Sequence, residues 1–324
     1  MRNRKQITKD AKFGHRRPSG QKGQEGDYIN PLDFWGMNTD GMEPGGDETA
    51  QDKGNRRKSL FFIGADDFSG KTIAICAIGT MLSERGIKVA GIKPIECGTE
   101  DNFIFEQAFS MNNSWKDDPL GPYFFKEKLS PYFAFKQSKA GFDKGRIIKL
   151  CNGVIAQQDV TFIEGSGGLL DPIVAGCSTA DMIKELGSSV VIVSPLKRGT
   201  LSQLMMIIAQ AKVIGVSIRG VLFSAADKTV TKDFFLLNVQ AVRDLVKVPV
   251  IGIIPFLEKG SREEILEKCS KKVSFQVMLD FPVPNPAVPE KSPETANKKI
   301  HPRGKAAFHK KRIKRTRAAK EFTK

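Results

Sequence analysis

Six short apolar runs recur along the chain, at 60–63, 89–92, 160–163, 190–193, 220–223 and 250–254. Each is rich in β-branched residues, nearly continuous and bounded by turn residues, as expected of strands covered on both faces. Between them lie helical stretches near 71–85, 143–158, 178–187, 201–214, 231–246 and 261–272. This alternation predicts an α/β fold, a mainly parallel sheet with helices on both faces. Right-handed crossovers then bring the C-terminal ends of the strands, and with them the ligand, to one edge of the sheet.

The pattern fails at both ends. Residues 1–58 hold almost no periodic apolar positions and are expected to be disordered, apart from an aromatic island at 28–37 able to dock on the body or on a partner. The domain is expected to span 59–281. A proline-rich linker follows at 282–297, and a basic tail at 298–324.

Charge sharpens this division. Of a formal net charge of +15, residues 1–58 carry 12 Lys/Arg against 9 Asp/Glu, and residues 298–324 carry 12 against one. The middle, 59–297, nets only +1. Basicity therefore belongs to the tails, and a nucleic-acid-binding core is not indicated. The terminal run is either a solvated tail or a binder of nucleic acid, anionic lipid or an acidic partner through counterion release.

Cys76, Cys97, Cys151, Cys177 and Cys269 form no Cys-x-x-Cys pair, which argues for a reducing compartment and against a disulfide framework or zinc site. His15, His301 and His309 all lie in the tails, which excludes a histidine base or a His-ligated metal in the core. No apolar run reaches the roughly 20 residues of a membrane span, and the N-terminus lacks an apolar signal segment. A cytoplasmic protein is expected.

The richest candidate chemistry follows the first strand. Gly64-Ala-Asp66-Asp67-Phe68-Ser69-Gly70-Lys71-Thr72 is a glycine-bracketed loop entering a helix. Its backbone N–H groups and the helix N-terminus suit phosphate. Lys71 would reach the terminal phosphates and the Thr72 hydroxyl would ligate Mg²⁺. The first glycine stands one position earlier than in the commonest spacing. Lys93 and Glu164 end two further strands. A buried lysine needs an anion, and a carboxylate beside the glycines of Glu164-Gly165-Ser166-Gly167-Gly168 suits Mg²⁺. The alternatives are that Lys93 pairs with Glu96 and that Glu164 caps a helix.

Taken in order, these motifs resemble those of the dethiobiotin synthetases. The loop is similar to that family's Gly-Thr-Asp-Thr-x-x-Gly-Lys-Thr, which shares the early glycine. Gly91-Ile-Lys93-Pro94 with Cys97-Gly98 resembles Gly-Tyr-Lys-Pro-Val-x-Ser-Gly. Ser130-Pro131-Tyr132 resembles Ser-Pro-His, and Glu164-Gly-Ser-Gly-Gly168 resembles Glu-Gly-Ala-Gly-Gly. Ala180-Asp181, Gly199-Thr200-Leu201 and Ile254-Pro255 follow in the family's order.

The resemblance covers roughly 59–258 and implies a P-loop NTPase fold, a homodimer, ATP and Mg²⁺. The implied reaction converts a diamine and CO₂ into a carbamate, phosphorylates it from ATP and closes a ureido ring, needing positioning and anion stabilisation more than a histidine. By position, the loop residues Gly64, Asp66, Asp67, Phe68, Ser69, Gly70, Lys71 and Thr72 would hold the phosphates, and Ser224, Pro255 and Phe256 would lie near the adenine. Thr72, Asp101 and Glu164 would hold Mg²⁺. Lys71, Lys93 and Cys97 would be the catalytic residues. Lys93, Cys97, Ser130, Gly165, Gly167 and the Gly199-Thr200-Leu201 segment would meet the substrate.

Ala65 and Asp67 stand where the family has threonines, and Cys97 replaces a serine. A carboxylate repels phosphate; two like charges about 4 Å apart cost about 1–4 kcal/mol between water and a protein surface. Hence a second reading is a nucleotide-binding regulatory or scaffold protein without synthetase activity. A partition-type ATPase would open its loop on Lys-Gly-Gly, which is missing here.

Overall fold

The computed structural model describes residues 58–66, 68–109, 121–225 and 227–284. The N-terminal extension before Lys58, the island at 28–37, Asp67, the linker from 285 and the basic tail lie outside the described residues, as do the expectations attached to them.

In chain order, the first half contains β1 (Lys58–Gly64), α1 (Lys71–Ser83), β2 (Val89–Ile92), β3 (Ile95–Cys97), α2 (Asp101–Ala108), β4 (Tyr123–Phe125), α3 (Pro131–Ser138) and α4 (Lys144–Ile155). Then come β5 (Val160–Glu164), β6 (Pro172–Val174), β7 (Cys177–Ser178), α5 (Thr179–Leu186), β8 (Ser189–Pro195) and α6 (Thr200–Ile214). The remainder is β9 (Ile218–Ser224), α7 (Lys232–Val246), β10 (Val250–Ile254), α8 (Arg262–Cys269) and α9 (Phe275–Met278).

The main sheet has six strands in the order β10-β9-β8-β1-β5-β2, and every pairing is parallel. The six apolar runs are these six strands. Alternation along β1 divides the interior: Leu60 and Phe62 face one layer, with α1, α8 and α9, while Phe61 and Ile63 face the other, with α4 to α7. Phe62 and Phe162 meet edge-on across β1 and β5, with ring centroids 5.2 Å apart. Because both faces are covered, the polar ends of the strands are where chemistry can sit.

Other elements were not expected from the pattern. The β3–β4 pair and the antiparallel β6–β7 pair have strands of three residues or fewer, too short to give an apolar run. Helices α2, α3 and α9 run eight residues or fewer. Helix α8 stops at Cys269, short of the expected 272, and β8 continues to Pro195. Among the described residues no helix is long and apolar enough to cross a membrane.

Candidate active site

The loop between β1 and α1 turns through two left-handed residues, Phe68 (φ 55°) and Gly70 (φ 83°). Gly70 is the N-cap of α1, where a left-handed conformation favours glycine. The early glycine also has a local cause. A Cβ on Gly64 would lie 2.7 Å from the Asp66 carbonyl oxygen and 2.6 Å from Ser69 Oγ, so a side chain here would push on the backbone of the loop that folds back over the strand end. The loop is held from both sides. Gly64 N donates to the Gly167 carbonyl at 2.9 Å, Ala65 N to the Val193 carbonyl at 2.8 Å, and Ser224 Oγ to the Ser69 carbonyl at 2.7 Å. Asp66 forms an ion pair with Lys197, from the loop after β8. Phe68 is fully exposed.

Four buried charged side chains meet beside this loop. Lys93 Nζ lies 2.5 Å from Asp101 Oδ2 and 3.4 Å from Glu164 Oε1. Thr72 Oγ1 lies 3.2 Å from both Asp101 Oδ1 and Glu164 Oε1. Lys71 completes the group, close enough for Glu164 and Lys93 to act on its charge. Lys93 thus pairs with Asp101 and Glu164, and Glu96 has a different task. Its carboxylate accepts from Asp101 N at 2.5 Å, from Asn102 Nδ2 at 2.7 Å and, more weakly, from Asn102 N at 3.4 Å. Asn102 closes the arrangement by exchanging hydrogen bonds of 2.8 Å with the backbone of Lys93. Glu96 and Asn102 therefore fix the start of α2, and with it the direction of Asp101.

A second device holds α2 from its other end. Phe105 and Phe109 stack with ring centroids 6.1 Å apart against α1 and β2. A Cβ on Gly79 would lie 2.1 Å from Phe109 Cε1, and one on Gly91 would lie 2.8 Å from both phenyl rings. These two glycines leave the space that the rings occupy.

The electrostatics follow from burial. Burial pulls Lys71 below its ordinary lysine value, against the attraction of Glu164. Burial acts on Lys93 in the same direction, but Glu164 and Asp101 outweigh it and hold Lys93 above its ordinary value. Asp101 is held below the usual carboxylate range; burial opposes this and Lys93 overcomes it. Glu164, 2% exposed, is pushed up to about 7 by burial, with Lys93 pulling the other way. Burial also pushes the half-buried Cys97 thiol up to about 11, so it offers an S–H and not a thiolate.

The donor set fits a magnesium ion. Thr72, Asp101 and Glu164 bring hard oxygen ligands to one point. Glu164 Oε2 and Ser69 Oγ are buried without a hydrogen-bond partner, as expected where a cation and a phosphate oxygen complete the network. Among the described residues no three His, Cys, Asp or Glu side chains cluster as a self-sufficient metal cage, so phosphate oxygens and waters would fill the remaining positions.

The other expected residues are placed less centrally. Gly165 N donates to the Phe62 carbonyl at 2.9 Å, and Gly168 N to Asp171 Oδ2 at the same distance. A Cβ on Gly167 would overlap the Asp171 carboxylate. Gly199 (φ 89°) caps α6, and Leu201 packs against the core. The buried Thr200 hydroxyl donates to the Pro195 carbonyl at 2.5 Å and accepts from Lys197 N, so it serves the turn. Ser130 is exposed at the start of α3. Pro255 and Phe256 are half-buried just beyond β10, where Ala225 N donates to the Ile254 carbonyl and sets them beside Ser224. Glu96, Asn102, Asp171 and Lys197 were not anticipated as members of the site. Glu96 and Asn102 lie close to Lys93 in sequence, but nothing in their spacing says that they hold α2.

Residues 58–264 match the family model described as AAA domain. An ATP-dependent dethiobiotin synthetase BioD from Bacillus cereus (strain B4264) is 28% identical over 235 residues, 69% of this chain and 94% of the relative. The protein of that name from Aromatoleum aromaticum is 27% identical over 205 residues, 61% of this chain and 90% of the relative. Among solved structures, the MinD cell division protein of Aquifex aeolicus covers 69% of this chain and 94% of its own at 16% identity, with a TM-score of 0.46. The resemblance to dethiobiotin synthetases drawn from the motifs is borne out by these relatives.

Proposed function

The chain belongs to the AAA domain family over residues 58–264, and from that premise we propose that it is an ATP- and Mg²⁺-dependent ligase of the dethiobiotin synthetase type. The observation that carries the reading is the meeting of Lys71, Thr72, Lys93, Asp101 and Glu164 at the mouth of the β1–α1 loop.

The chain's own groups suit the chemistry. An amine nitrogen attacks CO₂, a C–N bond forms as one C=O pair moves onto oxygen, and the nitrogen releases a proton to water, giving a carbamate. A carbamate oxygen attacks the γ-phosphorus of ATP, the bond to the bridging oxygen breaks and ADP leaves. The second amine then attacks the carbonyl carbon, a C–N bond forms, the C–O bond to phosphate breaks, and the nitrogen's proton leaves with the phosphate or to water, closing the ring. Both phosphorylation and closure move negative charge between oxygens. Lys93, kept protonated by two carboxylates, presents an ammonium to that charge in a water-poor setting where it acts strongly. Lys71 and the α1 N-terminus take the phosphate end. Bound Mg²⁺, held by Thr72, Asp101 and Glu164, would neutralise charge on the phosphates. Cys97 contributes a weak S–H donor.

Incubation with 7,8-diaminononanoate, bicarbonate and Mg-ATP tests the reading. The expected outcome is dethiobiotin formed in equal amount with ADP and phosphate, and lost in Lys93→Met. A protein that binds Mg-ATP tightly yet yields no dethiobiotin would move the proposal to another amine or carboxylate substrate.

The alternative of a nucleotide-binding module without synthetase activity draws on Ala65, which supplies no hydroxyl to phosphate, and on Thr200, whose hydroxyl is spent on Pro195. Tight Mg-ATP binding with no turnover on any amine tried would favour it.

A further inference from the structure

One surface of the domain has a chemistry that the proposed reaction does not use. Residues 121–149 carry seven Lys/Arg against two Asp/Glu, although the whole of 59–297 nets only +1. Lys144 is paired with Glu185, and Arg146 is committed to the Gly121 carbonyl and the Tyr123 ring. The other five (Lys126, Lys128, Lys136, Lys139 and Lys149) are exposed, and no ion pair joins them to a carboxylate among the described residues. Aromatic rings lie among them. Phe124 is 45% and Phe133 is 53% exposed, and Lys136 Nζ lies 5.9 Å from the centroid of the Tyr132 ring. The patch borders the candidate active site: a Cβ on Gly98 would lie 2.5 Å from Lys128 Cγ, and Gly98 N donates to the Phe125 carbonyl at 2.7 Å.

The complementary chemistry is in the same chain. Residues 23–52 contain eight Asp/Glu and no Lys or Arg, and the island Tyr28-Ile-Asn-Pro-Leu-Asp-Phe34-Trp35 lies among those acids. We propose that the acidic aromatic segment 25–37 docks in cis on the basic aromatic surface of β4 and α3, beside the Cys97–Gly98 edge of the site. Its rings cover Phe124 and Phe133, and its carboxylates face the lysines. Aromatic contact and charge pairing then act together, each modest alone.

Reach permits this. The body begins at Lys58, 21 residues after Met37, and 21 residues span at most about 70 Å. The segment must pass from the start of β1 to the opposite edge of the sheet, and seven residues of strand cover about 23 Å. The connector contains Gly41, Gly45, Gly46 and Gly54, and a glycine-containing tether of this length corresponds to an effective concentration in the millimolar range. The basic tail at 298–324 competes for the same acids by charge alone, whereas the β4–α3 surface offers lysines and exposed rings together.

The test uses the full chain. In Trp115→Phe, Trp35 is the only tryptophan. Docking predicts a blue-shifted Trp35 emission, independent of protein concentration, that moves to the red when Lys126, Lys128 and Lys136 are changed to Glu. A red-shifted Trp35 in the unmodified surface overturns the proposal. So does a blue shift unaffected by the lysine changes, or one abolished only by removing 298–324, which assigns the acids to the tail. A blue shift lost on dilution assigns the surface to a second copy and overturns docking in cis. Lysine acetylation provides a second readout without the tryptophan change. Lys126, Lys128 and Lys136 should react several-fold faster in Glu25→Gln/Asp27→Asn/Asp33→Asn than in the unmodified chain, and equal rates overturn the proposal.

Discussion

Thr72 Oγ1 and Asp101 Oδ1 lie 3.2 Å apart although they stand 29 positions apart in the chain, so the first turn of α1 and the first residue of α2 share one oxygen cluster. Everything that positions α2 therefore bears on the start of α1 and the β1–α1 loop.

Asp101→Asn should separate binding from folding. The change removes a charge that Lys93 holds at 2.5 Å and one of the three oxygen groups offered to Mg²⁺. Calorimetric titration should show Mg-ATP affinity falling about 10–100-fold, while affinity for ATP in chelator changes much less. Equal losses with and without Mg²⁺ would argue against Asp101 as a metal ligand.

Glu96→Gln should reproduce part of that loss without touching a ligand. The buried carboxylate accepts from Asp101 N and Asn102 Nδ2, and an amide has only one oxygen to offer. We expect a stability loss of about 1–3 kcal/mol in denaturant melts, with a weakened Mg²⁺ dependence of ATP binding. Unchanged Mg²⁺ dependence would confine Glu96 to stability.

Gly79→Ala tests the far end of the same helix. The added methyl would lie 2.1 Å from Phe109 Cε1, and overpacking of this kind costs about 1–3 kcal/mol. Combining it with Phe109→Ala should recover part of that cost, because the two positions share one volume. Strict additivity in the double-mutant cycle would contradict the packing.

Glu164 gives the metal-free protein a pH dependence. Its folded-state pKa is raised from an ordinary 4.5 to about 7, so the folded protein favours the protonated form. That contribution to stability is complete below about pH 4.5 and is lost as pH rises through 7. Glu164→Gln cannot ionise. In chelator its stability relative to the unmodified protein should therefore rise between pH 5 and pH 8, by an amount on the order of 3 kcal/mol. A difference that is flat with pH would mean that Glu164 is ionised throughout.

The sequence by itself determined the main sheet and which polar side chains stand along its edge. Six β-branched apolar runs became six parallel strands because each is covered on both faces, so burial writes an unbroken apolar signal into the chain. Lys71, Thr72, Lys93 and Glu164 were legible because a charged or hydroxyl group at the end of an apolar strand, or after a glycine-rich turn, departs from that signal.

What only the tertiary structure decided is how those residues combine. That Lys93 pairs with Asp101 and Glu164, leaving Glu96 to secure α2, depends on how α2 packs. That packing in turn depends on Phe109 filling the space left by Gly79 and Gly91. These partners are distant in the chain or lie in elements of eight residues or fewer. Their mutual distances are fixed by the packing of the whole core, which no local window of sequence contains.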